Sequence, residues 1–298
     1  MLRMRVHSRF QSGDAVAMSV FGVIGGSGLY DLPCLTKIEE IEVDTPFGAP
    51  SSPIVTGTIG DTRLAFVARH GRGHIHTPSE VSYRANIWAM RSLGATHVLS
   101  VSSVGSLREE LPPLTAVIPD QIIDRSLSRE RTFFDRGIVA HVGIADPFCD
   151  SLRKEVHRHA TAVTNQVAIR ATYLCIEGPQ FSTRAESELY RSWGASIIGM
   201  TAMPEARLAR EAGLCYATLA MVTDYDVWHE SESDVTVEVV QRVLAENART
   251  GRDVIRRLAE SGLPACEASC SKALDGSIIT APDLISDEAA ARVALFLP

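Results

Sequence analysis

Residues 214–230 read LCYATLAMVTDYDVWHE. The first nine, LCYATLAMV, form an apolar run too short for a typical amphipathic helix and rich in strand-compatible side chains, so they predict a buried strand. The run ends in Thr223, Asp224, Tyr225 and Asp226. If the extended backbone continues, Asp224 and Asp226 point to one side, because side chains two apart share a face. Two acids on one side of a buried strand end repel each other, and such a pair asks for a ligand that uses it. The structural alternative is a surface turn with two solvated carboxylates.

Working outward, runs of the same kind recur: SVFGVIGG (19–26), TRLAFVAR (62–69), ATHVLSVSSVGS (95–106), LTAVIPDQII (114–123), ATYLCIEG (171–178) and ASIIGMT (195–201). Helical patterns separate them at 79–93, about 147–160, 184–193, 203–212 and about 235–260. The alternation predicts an α/β fold in which helices flank a central parallel or mixed sheet. The 298 residues show no repeat or low-complexity linker. We expect one domain over 18–298, with 1–17 a basic, polar and disordered leader. That leader lacks the apolar core of a secretory signal; an organellar presequence is the alternative.

In such folds ligands bind beyond the carboxyl ends of strands. The polar residues ending the apolar runs are therefore the site candidates: Gly25 to Gly28, Arg69 and His70, Ser102 and Ser103, Glu177 and Gly178, Met200 and Thr201, and Asp224 with Asp226. Gly25-Gly26-Ser27-Gly28 either cradles an anion with backbone N–H groups or is simply a tight turn. It is not a dinucleotide fingerprint, since the third glycine of that motif is missing. Arg69 can grip a phosphate through two parallel N–H bonds, and His70 can add a donor. Hydroxyls at Ser27, Ser102 and Thr201 complete a set suited to inorganic phosphate. The absence of a Walker lysine argues against a nucleoside triphosphate. At the acidic end, a carboxyl group that keeps its proton can donate to N7 of adenine and accept from N6, and a second carboxylate close by favours that proton by like-charge repulsion.

Charge and cysteines bound the rest. A net charge of −7 argues against non-specific nucleic-acid binding, and no stretch is long and apolar enough for a bilayer span. His70, His74 and His76 fit no familiar metal-binding spacing. Cys34, Cys149, Cys175 and Cys215 are scattered like reduced core thiols of a cytoplasmic protein. Cys266 and Cys270, in CEASC, read as ordinary thiols. A disulfide or metal site is the alternative, but a second metal-binding pair is missing from the sequence around them. No metal site is expected.

The segments GVIGGSGLYD (22–31), VDTPFGAPS (43–51), ARHGRGH (68–74), YRANIWA (83–89), VGSLREE (104–110), IDR (123–125), EGPQFSTRAES (177–187) and MVTDYDVW (221–228) resemble, in order, the 5′-methylthioadenosine phosphorylase branch of the purine nucleoside phosphorylases. The resemblance covers about residues 19–260. It implies the nucleoside phosphorylase fold, a homotrimer, and no cofactor, with inorganic phosphate as co-substrate. Phosphate would attack C1′ as the ribosyl group gains oxocarbenium character, releasing adenine and 5-methylthioribose 1-phosphate. Ser27, Arg69, His70, Ser102 and Thr201 would hold phosphate, with Ser103 beside the substrate. Phe181 would pack on the base and Met200 along the ribose. Asp224 would be the general acid at N7, supported by Asp226 and Ser182 at N6. Val237 and Val240 would line the methylthio pocket, and His141 and Phe296 would reach in from a neighbouring subunit. Two departures stand out: Ser27 where threonine is common, and Ser102-Ser103 where threonine-alanine often stands. Related 6-oxopurine enzymes carry asparagine at the first carboxylate, so a methylthioinosine, inosine or guanosine phosphorylase is the alternative reading.

Overall fold

The computed structural model describes residues 20–26, 29, 32–229, 237–266 and 270–297, with backbone alone at 237–240. The expected leader, Ser27 and Gly28 lie outside the described residues. In chain order the elements are β1 (Val20–Gly25), β2 (Thr36–Ile41), β3 (Ile54–Ile59), β4 (Thr62–Ala68), α1 (Tyr83–Ser92), β5 (Ala95–Ser106), β6 (Ala116–Ile118), β7 (Gln121–Arg125), α2 (Asp150–Thr161), β8 (Val167–Ile169), β9 (Thr172–Ile176), α3 (Arg184–Ser192), β10 (Ile197–Gly199), α4 (Ala202–Glu211), β11 (Cys215–Tyr225), α5 (Val237–Ser261) and α6 (Asp287–Val293).

All eleven strands join one mixed sheet. Its middle is parallel: β4, β1, β5 and β11 run side by side. Strands of this kind need apolar residues on both faces, because helices cover both. β1 is accordingly buried at every residue. On one face α1, α4 and α6 bury Ile87, Met90, Ala206, Leu208, Ala289 and Val293. On the other, α2 and α5 bury Leu152, Val156, Val254, Ile255 and Leu258.

β5 organises the site. Twelve residues long, it pairs with β1 over its first half and with β11 from His97 to Ser106, and its last residues also pair antiparallel with β10. The sheet therefore forks where β5 ends. The carboxyl ends of β1, β4, β5 and β11 open on the same side, and β9 and β10 bring Ile176 and Gly199 to the fork. Against β5, β11 carries a register shift between Val222 and Asp224. Such bulges bend a strand and re-aim its side chains, commonly beside active sites.

Candidate active site

The strand ends surround a cleft of about 930 Å³. Arg69, His70, Ser102, Ser103, Phe181, Ser182, Met200, Thr201, Asp224 and Asp226 all line it, so the residues that end the apolar runs do converge. Past the β11 bulge, Asp224 sits opposite Gly105 of β5, and the Asp226 N–H donates to the Ser106 carbonyl at 3.0 Å. Gly105 makes this approach possible: a Cβ there would lie 3.3 Å from Asp224 Oδ1 and 3.0 Å from Ile198 Cγ2. Tyr225 leaves the cleft, its hydroxyl donating to the Glu109 carbonyl and its ring stacked on His229. The alternation expected of Asp224 and Asp226 thus holds. Thr223 also lines the cleft and donates to Asp224 Oδ2 at 2.5 Å.

Buried polar atoms ordinarily have hydrogen-bond partners. Four in the cleft wall have none among the described residues: Ser102 Oγ, Ser182 Oγ, Asp226 Oδ2 and Asn247 Oδ1. They span the cleft from the hydroxyl end to the acid end. Ser102 and Gly105 are three strand residues apart, so the two ends are separated by roughly 10 Å.

Arg69 departs from the bidentate phosphate grip. It is 2 % exposed, and Nε and Nη2 lie 3.0 and 3.1 Å from the two Glu205 oxygens. Nη2 also donates to Ser100 Oγ at 2.6 Å and Nη1 to the Val101 carbonyl at 3.1 Å. Burial pulls against the charge, but the Glu205 carboxylate more than offsets it, and Arg69 is raised above an ordinary arginine. The fork is spent on Glu205, because a guanidinium this deep needs a counter-ion. Among the described residues the second Nη1 hydrogen meets no acceptor, which leaves it for a ligand.

His70 also differs from the expected donor. Its Nδ1 lies 2.9 Å from the His76 carbonyl, and its ring stacks on His74 at 4.3 Å. Burial, with smaller pushes from Arg69 and His74, lowers His70 to about 4 against the pull of the His76 carbonyl. The ring is neutral at physiological pH. Nδ1–H donates to the carbonyl, which leaves Nε2 as an acceptor.

Thr201 stands at the N-cap of α4, and its hydroxyl makes no capping bond there. Met200 is held by its carbonyl, which accepts from Arg129 Nη1 at 2.6 Å. Gly178, at φ +66°, lets Met200 pass close to the backbone: a Cβ there would lie 2.5 Å from its Sδ. Phe181 is 82 % exposed, at the rim. Along one wall α5 supplies Val243, Leu244, Asn247 and Ala248. The side chains of Val240 and Val237, one and two turns earlier, lie outside the described residues.

Two candidates are not at this cleft. His141 is exposed on a loop, its N–H donating to the Ser277 carbonyl. Phe296 is 8 % exposed and packs on Phe133 at 4.5 Å within its own chain's core. As placed, Phe296 has almost no surface to offer a neighbour.

Residues missed from sequence are Glu205, Arg129 and the α5 wall. Arg129 donates to the carbonyls of Met200, Met203 and Glu177 and so ties the ends of β9 and β10 together. Neither charged residue ends an apolar run. The α5 residues did carry a signal, the amphipathic period of 235–260, to which the cleft adds Val243, Leu244, Asn247 and Ala248.

The phosphorylase superfamily profile matches residues 20–260. The S-methyl-5′-thioadenosine phosphorylase of Koribacter versatilis is 51% identical over 265 residues, which cover 89% of this chain and 90% of that protein. The crystal structure of a methylthioadenosine phosphorylase from an antarctic soil metagenomic library superposes with a TM-score of 0.89 at 47% identity, covering 94% of this chain and 99% of that one. The methylthioadenosine phosphorylase of Schistosoma mansoni, solved in complex with adenine, gives a TM-score of 0.75 at 37% identity, covering 82% of this chain and 91% of that one.

Proposed function

The chain belongs to the phosphorylase superfamily, and from that premise we propose that it cleaves 5′-methylthioadenosine with inorganic phosphate, giving adenine and 5-methylthioribose 1-phosphate. The observation that carries this is the cleft itself. Hydroxyls and Arg69 gather at one level of β5, two carboxylates gather three residues further along, and buried Ser102, Ser182, Asp226 and Asn247 atoms have no partner among the described residues. The separation suits a phosphate, a sugar and a purine in line. The similarity to methylthioadenosine phosphorylases supports the same substrate.

In this reading Ser102, Thr201 and the free Nη1 hydrogen of Arg69 hold phosphate, with Ser27 as a further hydroxyl and Ser103 at the sugar side. His70 Nε2 accepts a hydrogen bond from the phosphate's own O–H. A phosphate oxygen forms the bond to C1′ as the bond from C1′ to N9 breaks, and the electron pair leaves with adenine. Asp224, holding a proton, gives it to N7, while Asp226 and Ser182 position the N6 side. Phe181 covers the base and Met200 the ribose. Val237 and Val240, with Val243 and Leu244 beyond them, form the apolar end that takes the methylthio group.

Assembly and place belong to the proposal too: a homotrimer in the cytoplasm, with His141 reaching a neighbour's cleft. Among the described residues no helix is long and apolar enough to cross a membrane. The test is adenine release from methylthioadenosine with and without phosphate. Release is expected only with phosphate. Equal release in phosphate-free buffer would mean hydrolysis, and cleavage of inosine with none of methylthioadenosine would assign the site to 6-oxopurines; either overturns the reading.

A further inference from the structure

At the end of β11 remote from the cleft, four cysteines meet. Cys215 opens β11, nine residues before Asp224 and therefore roughly 30 Å along the strand from it. Cys149 stands at the N-cap of α2. Cys266 and Cys270 come from the segment after α5, and Cys270 opens a short 3-10 turn. The four sulfurs all lie within 4.8 Å of one another. Cys149, Cys215 and Cys270 are buried and Cys266 is half-buried. All four are free thiols. The second metal-binding pair, absent from the sequence around CEASC, is supplied by the fold.

Core thiols ordinarily behave as small hydrophobes packed against carbon. Here each sulfur instead has the other three as neighbours. A zinc ion with bonds of about 2.3 Å to four thiolates sets its sulfurs about 3.8 Å apart, which fits the observed spread. A cluster of several irons would hold them wider. Two further contacts suit thiolates. The Cys270 N–H donates to Cys266 Sγ at 3.4 Å, and Arg210 Nη1 donates to Cys270 Sγ at 3.6 Å. Outer donors of this kind orient metal ligands, and the arginine offsets the net negative charge of four thiolates on a divalent ion.

We propose that Cys149, Cys215, Cys266 and Cys270 bind one zinc ion in a closed tetrahedral site, which staples the C-terminal segment to the start of α2 and of β11. Binding releases the four thiol protons to solvent and involves no redox change. With four protein ligands the ion has no open position, so its role is structural.

The test is metal content by mass spectrometry of the full chain, purified under reducing conditions and dialysed after exposure to zinc. One zinc per chain is expected in the wild type and in Cys34→Ser, whose thiol lies outside the cluster; Cys266→Ser/Cys270→Ser should lose it. Cobalt loaded into the wild type should give the thiolate charge-transfer band and the intense visible bands of a tetrahedral site, a readout that stands even if the double variant fails to fold. No retained zinc, an octahedral cobalt spectrum, or zinc retained by the double variant would overturn the assignment. So would isolation of the reduced-buffer protein with the four cysteines paired as two disulfides.

Discussion

Asp224 owes its position to one residue of slack. The bulge at Thr223 turns the end of β11 so that Asp224 faces Gly105, where a larger residue would crowd it. The chemistry proposed for Asp224 is proton donation, which an amide cannot perform as a carboxylic acid does. Asp224→Asn is therefore expected to slow methylthioadenosine cleavage by about 10²–10⁴-fold, the usual worth of a positioned general acid, and to shift preference towards 6-oxopurine nucleosides. Steady-state rates on methylthioadenosine and inosine check this, and wild-type turnover on methylthioadenosine would remove Asp224 from the acid's role. The pair was legible because it ends an apolar run. Glu205 was not: its contact with Arg69 spans 136 positions, and no local pattern announces a counter-ion that distant. The same holds for the cysteines, whose ligand spacing exists only once β11, α2 and the tail are brought together.

Between elements, the Arg69–Glu205 pair joins the residue after β4 to α4, and the Tyr216 hydroxyl of β11 donates to the same carboxylate at 2.8 Å. Both charges are at most 2 % exposed. Removing one partner strands the other, a loss of about 3–5 kcal/mol for a buried pair. Glu205→Ala should lower the urea midpoint accordingly, and Glu205→Gln should cost less because it still accepts one hydrogen bond. Phosphate should raise the stability of Glu205→Ala more than that of wild type, since the stranded guanidinium can then pair with the anion. A cost below about 1 kcal/mol would show that water reaches Arg69 and that the pair is not buried in solution. The elements themselves were legible unevenly. The long apolar strands and five helices appear near their expected places, but α1 starts at Tyr83 rather than 79, after a turn in which the Glu80 N–H donates to the Thr77 carbonyl. The run 114–123 splits at Pro119-Asp120 into β6 and β7, which pair with different strands. β2 escaped notice because TKIEEI is charged and exposed, as an edge strand can be.

Over the whole chain, the alternation of apolar runs was enough to predict an α/β fold with a mixed sheet, while the course of the tail was not predictable. Its α6 and Phe296 fold back on Phe133, and Ile278 bridges to Ala140. That bridge leaves Val139, Ile279 and Leu284 45, 61 and 73 % exposed in the segments that flank His141 and the bridge. Exposed apolar side chains grouped in this way mark association surfaces. At the cleft rim Phe181 is open as well, and a base stacked there would stay half in water unless something covers it. A neighbour in the proposed trimer would answer both needs. Light scattering should therefore give three times the 32.3 kDa chain mass, and Ile279→Asp/Leu284→Asp should dissociate the assembly and depress activity. His141→Ala should leave the trimer intact and change the ratio of methylthioadenosine to adenosine cleavage. Phe296→Ala should behave differently: its ring lies in its own core, so the loss is one of stability, about 3–5 kcal/mol, rather than of sulfur selectivity. A monomer with full activity, or a His141→Ala enzyme with an unchanged ratio, would show that each cleft is complete within one chain.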